Sequence, residues 1–172
     1  MQQTISMKPQ DIAVLVKLIL QKNKSLRQID LAIHLGLSQG EIAKSFQRLN
    51  KSKLLQDMNV NKTAALEFIL HAIKYVFPAE LGPLAVGVPT GISFDQHEKM
   101  VVQSGEDIYV WPLIDGKKRG QSIKPFYPKL AEAALKDSDF HAMMAAIEIL
   151  RVGRTRERKL AEQYIEKRIN KT

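Results

Sequence analysis

Residues 25–53 constrain the fold of this chain more than any other part of its sequence. Gly36 lies between two segments with helical spacing of apolar residues, where a sharp reversal needs a residue that adopts positive φ without a Cβ clash. Ser38 and Glu41 follow at the spacing of a capping box, in which each side chain binds the other residue's free backbone amide. With Ser25 as the cap of the first segment, the stretch predicts two short helices joined by a tight turn.

The two predicted helices have faces of opposite character. The apolar residues expected on the buried face of the first helix are Leu26, Ile29, Leu31, Ala32 and Leu35. Those of the second helix, at positions i, i+4 and i+7, are Ile42, Phe46 and Leu49. The outer face of the second helix carries Gln39, Lys44, Gln47, Arg48 and Lys51. A buried stripe behind a basic, amide-rich face is typical of a helix that enters the major groove of DNA.

Residues 8–56 resemble the helix-turn-helix of winged-helix bacterial regulators of the MarR-like kind. The residues that carry the resemblance are Ala32 in the first helix, Gly36 and Leu37 in the turn, Ser38 as the cap and Ile42 in the second helix. Ser45 departs from the pattern, because an apolar residue is often found there, and Phe46 is expected to fill the core instead. The resemblance implies that helix 38–52 binds the major groove of double-stranded DNA.

The resemblance also implies which residues contact DNA. The residues expected at base edges are Gln39, Lys44, Gln47 and Arg48, and those expected on phosphates are Ser38, Lys51 and Lys53. Residues 53–56 resemble the first strand of a wing. Because only residues 57–60 precede the next predicted helix, the wing is predicted to be minimal or absent. A homodimer is expected, since operators are commonly bound by dimers.

The positive charge of the chain is concentrated at its two ends. The net charge is +8, with +5 in residues 1–60, −2 in residues 61–150 and +5 in residues 151–172. A basic excess divided in this way indicates a surface for a polyanion rather than general solubility alone.

Two further helices are predicted in the first half of the chain. Residues 10–21 are apolar around most of the helix circumference, which requires cover on more than one side. Either this helix backs the two helices of the turn, or it is also buried in a second subunit. Residues 61–76 have helical periodicity, with a predicted buried face of Leu66, Ile69, Leu70, Ile73 and Val76.

The middle of the chain is predicted to combine turns with a small hairpin. Residues 79–93 are dense in Gly and Pro, which indicates a connecting loop, and they lack the signature of a phosphate-binding loop. Residues 107–113 form the best strand, and Asp115 with Gly116 predicts a hairpin with residues 120–124. The basic cluster at its tip, either a solvated turn or a contact to the DNA backbone, is Lys117, Lys118 and Arg119.

Three helices are predicted at the C-terminal end, over residues 129–136, 140–152 and 154–169, with residues 137–139 capping the second. The expected apolar anchors of the last helix are Leu160, Tyr164 and Ile169. The basic residues around its start are Arg151, Arg154, Arg156, Arg158 and Lys159. Residues 151–172 hold eight cations but three glutamates, so ion pairs cannot neutralise them all. A solvated face and a surface for a polyanion or an acidic partner are both open.

The second half resembles an uncharacterised group of bacterial proteins in which such a tail follows a helix-turn-helix. The motifs that carry this resemblance are Tyr75-x-Phe77-Pro78, Gly87-Val-Pro-Thr90, Trp111-Pro112, Pro125-x-Tyr127-Pro128 and Leu150-Arg-Val-Gly-Arg-x-Arg-Glu-Arg158. The resemblance implies that the two halves belong together as a regulator. Some members of the group are encoded beside nucleotidyltransferase-like proteins, which raises an antitoxin role.

No enzymatic activity, metal site or cofactor is predicted. Glu67 and His71 share a helix face, but two ligands do not make a zinc site, and the other histidines are far apart in sequence. Aromatic residues are too few among the basic ones to favour RNA binding. The chain has no cysteine, no signal-peptide pattern and no run of eighteen apolar residues, so a cytoplasmic protein without a membrane span is expected.

The predicted fold is mainly α with a small β-hairpin: an N-terminal winged helix-turn-helix, then an α+β region that ends in two helices. The predicted domains are a DNA-binding domain at residues 1–60 and a region for dimerisation or partner binding at residues 61–172. The expected function is that of a sequence-specific DNA-binding transcriptional regulator. The alternative is an antitoxin-like or adaptor protein whose C-terminal region binds a partner protein.

Overall fold

Helices form most of this protein, and two small sheets lie between them. The computed structural model describes residues 6–21, 26–94, 97 and 108–171, so the predicted cap Ser25 and the predicted strand residue Asp107 lie outside the described residues. The helices are α1 (Gln10–Leu20), α2 (Gln28–Leu35), α3 (Gln39–Lys51), α4 (Lys62–Glu67), a π-helical turn (Phe68–Ala72), α5 (Ile73–Val76), α6 (Leu130–Leu135), α7 (Ser138–Val152) and α8 (Thr155–Lys171). The strands are β1 (Leu55–Gln56), β2 (Asn59–Val60), β3 (Leu81–Thr90), β4 (Tyr109–Pro112) and β5 (Lys118–Ile123). The prediction of a mainly helical fold is confirmed.

A tight turn joins α2 to α3 where the sequence predicts one. Gly36 has a φ of +66°, and the amide of Leu37 donates to the carbonyl of Ala32 at 3.0 Å. A Cβ on Gly36 would lie 3.2 Å from the Cβ of Lys129, so both conformation and space favour glycine here. Ile29, predicted to be buried, is 40% exposed, because it lies one turn before the exposed Ile33 and at the border of the buried face of Leu31, Ala32 and Leu35.

Helix α1 is buried along nearly its whole length and joins the two halves of the chain. It packs against α2 and α3 on one side and against α7 and α8 on the other. Apolar residues of all five helices belong to one hydrophobic core. The second half of the same chain therefore supplies the additional cover that α1 requires. The predicted boundary at residue 60 separates two parts of the sequence but not two hydrophobic cores.

A buried lysine ties α1 to the start of α7. The Nζ of Lys17 lies 2.6 Å from Oδ2 of Asp137, and Oδ1 of Asp137 accepts from the amide of Phe140 at 3.0 Å. The predicted cap of this helix is thus confirmed. Burial tends to raise the pKa of Asp137, but the hydrogen bonds from Lys17 and the Phe140 amide hold that pKa below its ordinary value.

A very short hairpin follows α3. Strands β1 and β2 pair antiparallel over two residues each, with Leu55 opposite Val60. Lys53 and Asp57 take positive φ values of 62° and 57° to form the turns around β1. A hairpin of this length fits the minimal wing that the sequence predicts, and its contact with DNA stays a prediction.

Residues 79–93 contain the longest strand among the described residues, so the prediction of a loop there is wrong. Strand β3 pairs with β5 over its first part and with β4 over its last part. Pro83 lies in the register irregularity between Leu81 and Leu84, and Gly87 lets the carbonyl of Trp111 approach the strand closely. Pro83 and Gly87 therefore lie where the hydrogen-bonded ladder of β3 is interrupted or crowded. Composition alone does not distinguish such a strand from a loop.

The predicted hairpin between residues 107–113 and 120–124 is also wrong in its pairing. Both strands form, and Gly116 donates to the carbonyl of Leu113 (2.9 Å) in the predicted turn. However, β4 and β5 pair in parallel, with Tyr109 opposite Gln121, and both are antiparallel to β3. The sheet has three strands because β3, which the sequence did not indicate, pairs with both of the others.

Motif residues of the second half meet around a buried carboxylate. Glu148 on α7 is fully buried and accepts from Nε1 of Trp111 (3.0 Å) and from Nη1 of Arg151 (2.8 Å). Arg151 also donates to the carbonyls of Phe77 (2.9 Å) and Pro78 (3.1 Å). Burial raises the pKa of Glu148, and the charge of Arg151 opposes that rise. This network fastens β4 and the end of α5 to α7.

Helix α8 forms where a final charged helix is predicted. The apolar residues that bury it against the core only partly match the predicted ones. Ile169 is buried as expected, whereas Leu160 and Tyr164 are half-buried. Ala161 and Ile165 complete the buried stripe.

Candidate nucleic-acid interface

Helix α3 has one buried and one exposed side. The predicted core residues Ile42, Phe46 and Leu49 are buried. The exposed residues Gly40, Lys44, Gln47 and Lys51 lie three or four positions apart and so form one stripe on the opposite side. No atom lies within 4 Å of a Cβ built on Gly40, so the space in front of this stripe is open. Gln39 is exposed in the first turn of the helix.

The start of α3 is fixed by the predicted capping box. The hydroxyl of Ser38 accepts from the amide of Glu41 at 3.2 Å, and the carboxylate of Glu41 accepts from the amide of Ser38 at 2.8 Å. These hydrogen bonds hold the pKa of Glu41 below its ordinary value. The Ser38 hydroxyl is thus engaged in the cap, and a phosphate contact by Ser38 stays a prediction.

Replacing Ser38 by alanine should destabilise the protein by about 1 kcal/mol, because the amide of Glu41 loses its acceptor. The measurement is urea unfolding of the full chain. Ser52→Ala is the matched control, since its hydroxyl donates only to the carbonyl of Leu49 in the last turn. Equal free energies of unfolding for Ser38→Ala and the unchanged protein would show that the cap does not contribute to stability.

A buried carboxylate on α1 holds α3 from behind. Oδ1 of Asp11 accepts from Oγ of Ser45 (2.7 Å) and from Nη2 of Arg48 (2.6 Å). Oδ2 accepts from Nε of Arg48 (2.7 Å) and from the amide of Lys8 (2.8 Å). Asp11 is 0% exposed and Arg48 is 7% exposed. The bidentate hydrogen bond that Arg48 donates to Asp11 raises the pKa of Arg48 and keeps its guanidinium charged.

Arg48 therefore does not face base edges, contrary to the prediction from the sequence. It lies at the border between the buried and exposed sides of α3, and its guanidinium turns inward to Asp11. Ser45, which departs from the family pattern, donates to the same carboxylate. Two features of the sequence indicate this network. Ser45 is a polar residue inside the apolar stripe of α3, and Asp11 is an acidic residue in the apolar helix α1.

The remaining predicted phosphate contacts lie at the end of α3. Lys51 is exposed in its last turn, and Lys53 is exposed just before β1. Lys8 is also exposed, and its charge acts on the Glu41 carboxylate together with that of Lys44, so it lies on the same side of the molecule.

Most residues of the two predicted secondary basic patches are exposed, but not all of them. Lys117, Lys118 and Arg119 are exposed where β5 begins. In the C-terminal cluster Arg154 and Arg156 are exposed and Arg158 is half-buried. Arg151 departs from the prediction, because its side chain is only 5% exposed and is bound to Glu148.

Two histidines that are far apart in sequence contact the same aromatic ring, that of Phe94. The rings of His97 and His141 lie 5.4 Å and 4.1 Å from that of Phe94. Nε2 of His97 lies 2.8 Å from the carbonyl oxygen of Ala142, and burial lowers the pKa of His97. Within the described ranges, no group of three or more His, Cys, Asp or Glu residues is placed to hold a metal ion.

Comparison of the chain with protein-family models, with curated proteins and with solved structures finds no match. In the part of the chain that the structure describes, no helix has the length and apolar character needed to cross a bilayer. The surface of α3 is thus the main guide to function.

Proposed function

We propose that this protein is a sequence-specific, double-stranded DNA-binding regulator of transcription and that α3 enters the major groove. The observation that supports this most is the exposed stripe of Gly40, Lys44, Gln47 and Lys51 on a helix anchored from behind by Asp11. The major groove is about 12 Å wide, which accommodates one helix with its side chains. Such a role implies a cytoplasmic location.

The side chains of the stripe suit this position. Gln47 can donate and accept together, which matches adenine, and Lys44 can donate to the acceptors of guanine. Gly40 carries no side chain, so the first turn of α3 can approach the bases closely. Lys51 and Lys53 would bind phosphates and set the orientation of the helix.

Two copies should bind one operator. One helix contacts few base pairs, and the two related helices of a dimer bind half-sites about 34–36 Å apart, one turn of DNA. Inverted half-sites with that spacing in selected DNA would support the homodimer, and a single isolated half-site would contradict it.

Selection of bound sequences from random double-stranded DNA at two salt concentrations tests the proposal. The full chain should enrich one sequence pattern, and its affinity should fall as salt rises, because bound lysines release counterions. The proposal fails if no pattern is enriched and binding does not depend on salt.

Substitutions on α3 should separate base contacts from phosphate contacts. Gln47→Ala should lose about 1–3 kcal/mol of discrimination at one base pair of the selected sequence. Lys51→Ala should weaken binding to all sequences and reduce the salt slope by about one. Lys136→Ala, an exposed lysine just after α6 in the segment of net negative charge, is the matched control and should change neither quantity. Unchanged sequence preference in Gln47→Ala would contradict its contact with a base.

A second candidate function is that of an antitoxin-like or adaptor protein whose C-terminal region binds a partner protein. Large apolar side chains on that region support it, since Tyr75 is 75%, Leu84 62% and Ile114 97% exposed. Exposed apolar groups of this kind often mark protein contacts. The two functions are compatible, because a regulator can bind both DNA and a partner.

A further inference from the structure

The outer face of α8 carries cations and amides along nearly its whole length. These residues follow one another at intervals of three or four, which places them on one side of the helix, and each of them is exposed. Together they form the α8 row, which consists of Arg156, Lys159, Gln163, Lys167, Asn170 and Lys171. At the rise of an α-helix the row is about 22 Å long.

The rest of α8 is held firmly against the protein. Ile165 and Ile169 are buried on the side of the helix that faces away from the row. Nη2 of Arg168 lies 2.9 Å from Oδ1 of Asp139 at the start of α7. A ligand of the row would thus meet a preformed surface and would not have to order it.

The cations of the row are not neutralised within the protein. Arg151 and Arg168 pair with carboxylates of α7, but no cation of the row forms an ion pair with another described residue. Glu162 and Glu166 follow Arg158 at intervals of four, so they lie on the flank of the helix that carries Arg158. The row itself therefore holds four positive charges and no negative one.

The stability of α8 does not account for this arrangement. The helix dipole favours a cation in the last turn, where Lys171 lies, but disfavours one in the first turn, where Arg156 lies. Lys167 and Lys171 are one turn apart and repel each other. Because proteins break such local rules mainly at functional sites, the excess charge indicates a ligand of negative charge.

We propose that the α8 row binds the phosphate backbone of double-stranded DNA without discriminating between base sequences. Lysine, arginine and amide side chains are the groups that bind phosphates, and such contacts position a protein on a duplex. The length of the row, about 22 Å, corresponds to about six base pairs. The inference rests on the proposed function, in which α3 supplies the base contacts, and it assigns to α8 an additional share of the affinity.

The composition of the row favours a duplex over other ligands. The row contains no apolar residue, whereas protein interfaces are built around an apolar core and helices that bind a membrane surface bury an apolar face. It also contains no aromatic residue on which the bases of a single strand could stack. The backbone of a duplex requires neither kind of side chain.

Binding of the full chain to a labelled duplex of random sequence, measured by fluorescence anisotropy at several salt concentrations, tests the inference. Lys159→Ala combined with Lys167→Ala should reduce the slope of log affinity against log salt by about two, because each bound lysine releases about one counterion. At physiological salt the affinity should fall about tenfold. The ratio of affinities for the selected sequence and the random duplex should stay the same, as should urea unfolding, because both lysines are exposed.

Lys124→Ala combined with Lys136→Ala is the matched control, because it removes the same charge from two exposed lysines outside α8. It should leave the salt slope unchanged, and an equal fall in both double variants would overturn the inference by reducing the effect to net charge. An unchanged slope in the α8 variant, or no binding of the unchanged protein to the random duplex, would overturn it as well. Single-stranded DNA or phosphatidylserine vesicles that bind the unchanged protein but not the α8 variant, while duplex binding persists, would overturn it in favour of that ligand.

Failure of this inference can be told apart from failure of base recognition by α3. If no sequence is enriched by selection but the random duplex binds through α8, base recognition is rejected and the α8 contact stands. If one sequence is enriched and the α8 variant binds it with an unchanged salt slope, the α8 contact alone is rejected.

Discussion

Replacing Arg48 by alanine is expected to destabilise the whole protein rather than to change its choice of DNA sequence. The substitution leaves the carboxylate of Asp11, which is 0% exposed, without its bidentate partner. Removing one member of a buried ion pair typically lowers the free energy of unfolding by about 3–5 kcal/mol. For a domain of ordinary stability, about 5–15 kcal/mol, this is a large fraction.

Urea unfolding followed by the fluorescence of Trp111 measures this effect, because Trp111 is the single tryptophan and is fully buried. Asp11→Leu combined with Arg48→Met removes both charges and should recover most of the lost stability. Lys44→Ala, exposed on the same helix, should keep full stability. If Arg48→Ala unfolds like the unchanged protein and binds a different DNA sequence, the guanidinium contacts bases after all.

Replacing Glu148 by leucine should have an effect of similar size through a second buried network. The change leaves Nε1 of Trp111 without an acceptor and the guanidinium of Arg151 without its carboxylate, in a place where both side chains are nearly inaccessible to water. A buried unpaired charge and a buried unpaired donor together should lower the free energy of unfolding by about 3–5 kcal/mol.

Two variants control this experiment in the full chain. Glu148→Gln keeps an acceptor for Trp111 and should lose less stability than Glu148→Leu, which separates the charge from the hydrogen bond. Glu166→Leu changes an exposed glutamate on α8 and should alter the free energy of unfolding by less than about 0.5 kcal/mol. Equal losses in Glu148→Leu and Glu166→Leu would show that the network contributes no stability.

The features predicted correctly from the sequence depend on contacts between residues close in the chain. The turn at Gly36, the capping box of Ser38 and Glu41, and the cap at Asp137 were all evident, because each is complete within six residues. The buried stripe of α3 was evident for the same reason, since helical spacing alone defines it.

The features predicted wrongly depend on residues far apart in the chain. Strand β3 forms because polar backbone groups at its irregular positions find hydrogen-bond partners on β5. For example, Oγ of Ser122 donates to the carbonyl of Pro83 at 2.6 Å. Arg48 turns inward because Asp11, from another helix, is buried beside it. In both cases local composition does not specify which distant residue is the partner, so the wrong element and the wrong site residue have one cause.

The burial of α1 has a consequence for how the protein is made. Residues 10–51 leave the ribosome before α7 and α8, which supply part of the apolar cover of α1. Proteins usually fold during synthesis in units that are already complete, and the core around α1 is complete only once α8 has been made. A product that terminates before α7 should therefore lack part of the cover of α1 and present no ordered α3.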